Sequence, residues 1–197
     1  MKYMGSKARI APEILPLILE DRKQGQYYVE PFCGGCNSLQ HVTGNRIGSD
    51  LNRYLIAMWK GLQADVERPR IITKEMYDQA RTDFKSGRND HYDDFMIGWI
   101  GFMSSFNGTF FNGFVGNYPH RDYIRESINN VERQVEKIRN VEFYTCGYEE
   151  LAIPSESIVY CDIPYRNTCG YTATGGFDHD RFWGWCTLQK KGASDLC

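Results

Sequence analysis

The chain has 197 residues, 42% hydrophobic and 24% charged, an ordinary globular composition that excludes wholesale disorder and fibrous classes. Its 23 Lys and Arg against 25 Asp and Glu leave a formal charge of −2, so no global basic field exists and a nucleic-acid partner has to be held by a local patch. The apolar runs are too short for a membrane span, the start Met1-Lys2-Tyr3-Met4-Gly5-Ser6-Lys7 lacks the apolar run of a secretory signal, and 7 cysteines without a regular framework read as reduced thiols in a cytosolic compartment.

The length fits one domain, or one with a small insert. Within 7–22, Ile10, Ile14, Leu15 and Ile18 fall at helical spacing. Pro12 suits a first turn, and Pro16 is expected to end or kink the helix. Tyr27-Tyr28-Val29-Glu30 is a short β-rich run entering Pro31 and the pair Gly34-Gly35, so a strand running into a tight turn is expected. Segment 45–50 reads as a second strand ending in Asp50. Residues 51–63 read as a helix with Leu51, Tyr54, Leu55, Met58 and Trp59 on one face, and Thr73 is a suitable N-cap for another.

From 95 to about 106 the pattern suits a buried helix; the aromatic stretch beyond it holds too much Gly and Asn for a helix and too little alternation for a strand. Segment 121–139 has the clearest helical stripe, with Ile124, Ile128, Val131, Val135 and Ile138 on one face. Segments 141–145 and 157–161 read as third and fourth strands, and a last helix is expected from about Asp178. Strands alternating with helices argue for a mostly parallel α/β sheet.

Three acids, Glu30, Asp50 and Asp162, fall at or just after strand ends. Ligands of open α/β sheets bind outside the carboxyl ends of the strands, so the three form one hypothesis. The turn Phe32-Cys33-Gly34-Gly35-Cys36 lets backbone approach a ligand closely, although it is not the GxGxxG pattern. Asp50 lies twenty residues after Glu30, a spacing that suits a carboxylate accepting two ribose hydroxyls. In Asp162-Ile163-Pro164-Tyr165, Asp162 accepts hydrogen bonds, Pro164 disfavours helical geometry at Ile163 and turns its carbonyl outward, and Tyr165 offers a stacking face. An acceptor pair beside a ring suits a flat amino-bearing base; a plain Pro turn with a buried Tyr is the alternative.

Four segments together resemble the Dam-like, S-adenosylmethionine-dependent DNA adenine methyltransferases of bacteria and phages. Lys2-Tyr3-Met4-Gly5-Ser6-Lys7 resembles that family's amino-terminal cofactor motif, and Val29-Glu30-Pro31-Phe32-Cys33-Gly34-Gly35 its first-strand motif. Ser49-Asp50-Leu51-Asn52 resembles the ribose-binding strand end, and Asp162-Ile163-Pro164-Tyr165 the catalytic Asp-Pro-Pro-Tyr, with Ile163 departing from it. All four occur in family order at family-like intervals.

The resemblance implies a Rossmann-like methyltransferase sheet formed by 1–65 and 141–197, with 66–140 as a helical, aromatic target-recognition insert. It implies S-adenosyl-L-methionine as cofactor, double-stranded DNA as partner, and no metal. Tyr3, Gly5, Lys7, Glu30, Phe32, Gly34, Gly35, Asp50 and Asp162 are expected at the cofactor, Lys7 on its methionine carboxylate. Asp162, Ile163, Pro164 and Tyr165 are expected at the target base. Asn112, Tyr118, His120, Arg121 and Arg125 are the expected DNA contacts; a solvated helix start is the alternative for the last three. The family normally continues beyond the last helix expected here, so an incomplete sheet, or one completed by a second chain, is a further expectation. Alternatives are a non-catalytic DNA-binding remnant, an RNA methyltransferase and, at greater distance, a nucleotide-binding oxidoreductase. For Cys33-x-x-Cys36 a cofactor loop competes with a redox motif, and the four scattered histidines, His41, His91, His120 and His179, suggest no metal cluster.

Overall fold

Tyr28 and Val29 are fully buried and Glu30 nearly so, which requires cover on both faces and neighbours on both sides. The computed structural model, which describes residues 1–116, 120–164 and 177–194, supplies both. Strands β1 (Tyr28–Glu30), β2 (Arg46–Ser49), β3 (Val141–Tyr144) and β4 (Ile158–Val159) form one sheet in the order β3-β2-β1-β4, with every pairing parallel. The chain leaves β1 toward β2 on one side, and β4 returns to its other side. The turn after β1 therefore lies where the winding reverses, the place where open α/β sheets bind ligands.

The α-helices among the described residues are α1 (Ala11–Ile18), α2 (Arg53–Gln63), α3 (Lys74–Ser86), α4 (Asp94–Ser104), α5 (Tyr123–Ile138) and α6 (His179–Ser194). Their starts follow local chemistry. The Asn52 side chain accepts from the backbone of Tyr54 and Leu55, Thr73 from Met76, Asp93 from Met96 and Asp122 from Arg125. α3 ends at Gly87, whose φ of 68° is left-handed. Beyond it, buried Asp83 accepts from the backbone of His91 at 2.8 Å and of Tyr92 at 2.9 Å, which pins the connection to α4.

α4 is buried on nearly every side, which explains its uniformly apolar sequence. It lies so close to α2 that a Cβ on Gly98 would sit 2.1 Å from the carbonyl oxygen of Tyr54. α5 buries Ile124, Ile128, Val131, Val135 and Ile138, the whole expected stripe. These side chains share one core with Trp59 of α2, Trp99 and Ile100 of α4, and Leu39 and Phe143. A smaller cluster of Val29, Ile47 and Leu151 fills the opposite face of the sheet.

The differences from expectation are local. The first helix is Ala11–Ile18 rather than 7–22, and it runs through Pro16 for two residues. Leu15, buried in the core, anchors that last turn, and its carbonyl accepts from the Leu19 amide at 2.9 Å. Leu51 is exposed and precedes the Asn52 cap, so it lies outside α2's apolar face. The fourth strand is shorter than 157–161: it spans Ile158–Val159, and the Tyr160 amide still donates to the Val29 carbonyl at 2.9 Å.

Candidate active site

Glu30 ends β1, Asp50 follows β2 and Asp162 follows β4, so the strand order sets all three acids at the same edge of the sheet. A chain of contacts ties them together. The Gly34 amide donates to Asp50 Oδ2 at 3.2 Å, and the Asn52 amide to Asp50 Oδ1 at 2.9 Å. Each carboxylate oxygen keeps a lone pair for a further donor. Burial raises the Asp50 pKa, and the bonds from Asn52 and Gly34 oppose the rise.

Tyr3 lies directly on the glycine turn. A Cβ on Gly34 would meet the Tyr3 ring at 2.7 Å, and one on Gly35 would meet Tyr3 Cβ at 2.7 Å. Gly34 also has φ of +45°, which disfavours any other residue. The glycines therefore pass beneath Tyr3. Four residues further along, Lys7 Nζ lies 2.7 Å from Asp162 Oδ1, with the Lys7 side chain 16% and the Asp162 side chain 27% exposed. Lys7 also donates to the Gly5 carbonyl at 3.2 Å, and Gly5 turns the chain with φ of 77°.

Glu30 is only 4% exposed and accepts from the Tyr28 hydroxyl at 2.9 Å. Burial pushes its pKa up to about 8, the Tyr28 bond opposes the rise, and the neighbouring Asp162 charge adds to it. Burial thus favours the protonated form of Glu30 beside the site. Phe32 packs against Tyr148, Phe177 and Phe182, with ring centroids 5.6, 5.7 and 5.9 Å away. Cys33 and Cys36 are buried free thiols, and burial holds Cys33 well above its ordinary pKa. That suits an inert lining to the turn better than a reactive dithiol.

Two residues outside the sequence expectations hold the turn from below. Trp59 Nε1 donates to the Gly34 carbonyl at 3.1 Å. Gln134 Nε2 donates to the carbonyls of Gly35 at 2.8 Å and Cys36 at 3.0 Å. With three successive carbonyls drawn inward, the turn is fixed before any ligand arrives. Gln134 did leave a signal: it is an amide beside Val131 and Val135 on α5's apolar stripe. Such a residue needs buried partners, and here they are backbone.

The aromatic stretch is mostly core, as Phe102 and Phe111 are buried; Phe106 stands out at 53% exposed. Asn112 is exposed on the same loop, and His120, Arg121 and Arg125 are exposed at the start of α5. Arg121 is held by Glu126 through two bonds of 2.7 and 3.0 Å, and Arg125 by Asp122 at 3.2 Å. Ile163 and Pro164 follow Asp162 at the sheet edge, half-buried. Tyr118 and Tyr165 lie outside the described residues.

No curated protein matches the chain. A family model does, across residues 3–184, from the amino-terminal strap to the middle of α6: that of the D12 class N6 adenine-specific DNA methyltransferases. The strand-end acids, the glycine turn and the strap all fall within that span, and the chain belongs to this family of DNA methyltransferases.

Proposed function

We propose that the protein methylates the exocyclic amino group of an adenine flipped out of duplex DNA, with S-adenosyl-L-methionine as donor. The observation that carries this reading is the pair of contacts Asp50–Gly34–Tyr3 and Lys7–Asp162, which draws on all four sequence motifs at one edge of the sheet. The residues suit the cofactor. Asp50 has lone pairs for two ribose hydroxyls, the turn of Gly34 and Gly35 beside it holds Tyr3 against its backbone, and Asp162 lies at the same edge of the sheet. When bound, S-adenosylmethionine supplies a methyl group activated by its sulfonium.

The protein's own part is alignment. The amino nitrogen of adenine is a poor nucleophile because its lone pair is delocalised into the ring. Asp162 and the carbonyl of Ile163 each accept one of its two hydrogens. That favours a pyramidal nitrogen whose lone pair points at the methyl group, so transfer needs positioning and electrostatics rather than a covalent intermediate. The base is unreachable inside a duplex and has to be extruded, at a cost of a few kcal/mol. Stacking on Tyr165 is assigned to offset part of it, by about 1–3 kcal/mol.

Residues 66–140 are assigned to target recognition, with the loop bearing Phe106 and Asn112, together with His120, Arg121 and Arg125, set against the duplex. Tritium transfer from labelled cofactor to duplex DNA tests the assignment. Asp162→Ala is expected to abolish transfer while the melting curve stays cooperative, because the side chain is part-exposed. Transfer at the wild-type rate by Asp162→Ala would remove Asp162 from the mechanism.

A further inference from the structure

The ammonium of Lys7 sits on the carboxylate assigned to the target amine, and this is the arrangement that the cofactor expectation for Lys7 leaves unexplained. The pair is short, 2.7 Å, and both side chains are mostly sheltered from solvent. The strap that carries Lys7 is fixed at both ends. The Ser6 amide donates to the Tyr3 carbonyl at 3.1 Å, and the Lys7 carbonyl accepts from the amides of Ile10 at 3.0 Å and Ala11 at 2.8 Å as α1 begins. Tyr3 is seated on the Gly34-Gly35 turn. The Gly5 carbonyl, 3.2 Å from Nζ, steers the ammonium from the strap side.

An Asp carboxylate turns easily about its last torsion, whose wells are broad. Holding two amino hydrogens at once, one on Asp162 and one on the rigid backbone carbonyl of Ile163, needs that torsion fixed. We propose that Lys7 is a positioning residue for methyl transfer: it binds Asp162 Oδ1 and so presents Oδ2 to the adenine amino group. Because the strap also rests on the cofactor turn through Tyr3, it links the two halves of the site mechanically. The inference rests on the methyltransferase reading and sharpens it, since it moves Lys7 from the cofactor's carboxylate to the catalytic carboxylate.

Steady-state methylation of duplex DNA by the full chain, with cofactor and DNA each varied, separates the two roles. Wild-type transfer establishes the underlying reading first; its absence would count against that reading. Given wild-type activity, Lys7→Met is expected to lower kcat by about 100-fold, the scale of an ångström's misplacement of a reacting group. Its Kd for S-adenosylhomocysteine, measured calorimetrically, should stay close to the wild-type value. Lys7→Arg, which restores a cationic donor, should recover much of kcat. A Lys7→Met protein whose cofactor Kd rises and whose kcat returns at saturating cofactor would place Lys7 on the cofactor and overturn the proposal. Wild-type kcat in Lys7→Met would overturn it as well. Should Lys7→Met fail to melt cooperatively, Lys7→Arg and Lys7→Gln decide: an arginine variant no faster than the glutamine variant contradicts the positioning role.

Discussion

Gly35→Ala is the smallest change that addresses the turn. The added Cβ would lie 2.7 Å from Tyr3 Cβ and 2.8 Å from Asn37 Nδ2. Neither obstacle is the loose end of a flexible side chain. Tyr3 Cβ moves only with the strap backbone, and Asn37 Nδ2 is bonded to the Met1 carbonyl at 3.2 Å. The strap therefore has to lift from the turn. Overpacking of this kind costs about 1–3 kcal/mol. The reduced freedom of the unfolded chain returns about 0.4–1 kcal/mol. A net loss of about 1–2 kcal/mol should lower Tm by about 2–8 °C in a chain of this size. The larger effect falls on the site. With Tyr3 displaced, affinity for S-adenosylhomocysteine should fall by about tenfold, equivalent to about 1.4 kcal/mol. Differential scanning calorimetry and isothermal titration measure the two quantities on one preparation. An unchanged Kd, with Tm lowered as expected, would show that the seat of Tyr3 on Gly35 has no part in binding the cofactor.

Glu30 makes stability depend on pH. Its folded pKa of about 8 lies above the ordinary 4.5, so between those values the folded state keeps a proton that the unfolded state gives up. Its contribution therefore weakens as pH rises through that window and levels off above it. Glu30→Gln, which keeps an acceptor for Tyr28, should flatten the fall in urea-unfolding stability between pH 5 and pH 8; a wild-type slope in the variant would contradict the buried neutral acid. At the DNA surface, Arg121→Ala with Arg125→Ala should weaken duplex binding on all sequences and reduce the slope of log K against log salt by about one per residue. An unchanged slope would mean that Glu126 and Asp122 keep these guanidiniums from phosphate.

What the sequence discloses here is what repeats along the chain or sits beside a strand end. The stripe Ile124, Ile128, Val131, Val135 and Ile138 is buried in α5 as its spacing requires, because one face of a helix has to find the core. Thr73 caps α3 because its hydroxyl competes for the amide of Met76. The acids Glu30, Asp50 and Asp162 were recognisable because a parallel sheet gathers its strand ends at one edge. Contacts that cross the chain leave no such trace. Trp59 reaches back to Gly34 and Gln134 to Gly35, and no period relates those positions. Nor does the sequence disclose the contact of Lys7, expected on the cofactor's carboxylate, with Asp162, which the placement of β4 next to β1 brings beside it. Pro16 was expected to end or kink the first helix, and the helix ends two residues after it, at Ile18. The two bonds by which Glu126 holds Arg121 likewise leave no signal in the spacing of charges.

The central claim is that Asp162 and its neighbours direct a methyl group onto the amino nitrogen of adenine in DNA. Nucleoside mass spectrometry after incubation of duplex DNA with the protein and deuterium-labelled S-adenosylmethionine reads that atom directly. The account predicts labelled N6-methyldeoxyadenosine with the wild-type chain and none with Asp162→Ala. A folded, cofactor-binding wild-type protein that leaves every adenine unlabelled, or that places the label on another base, would contradict it.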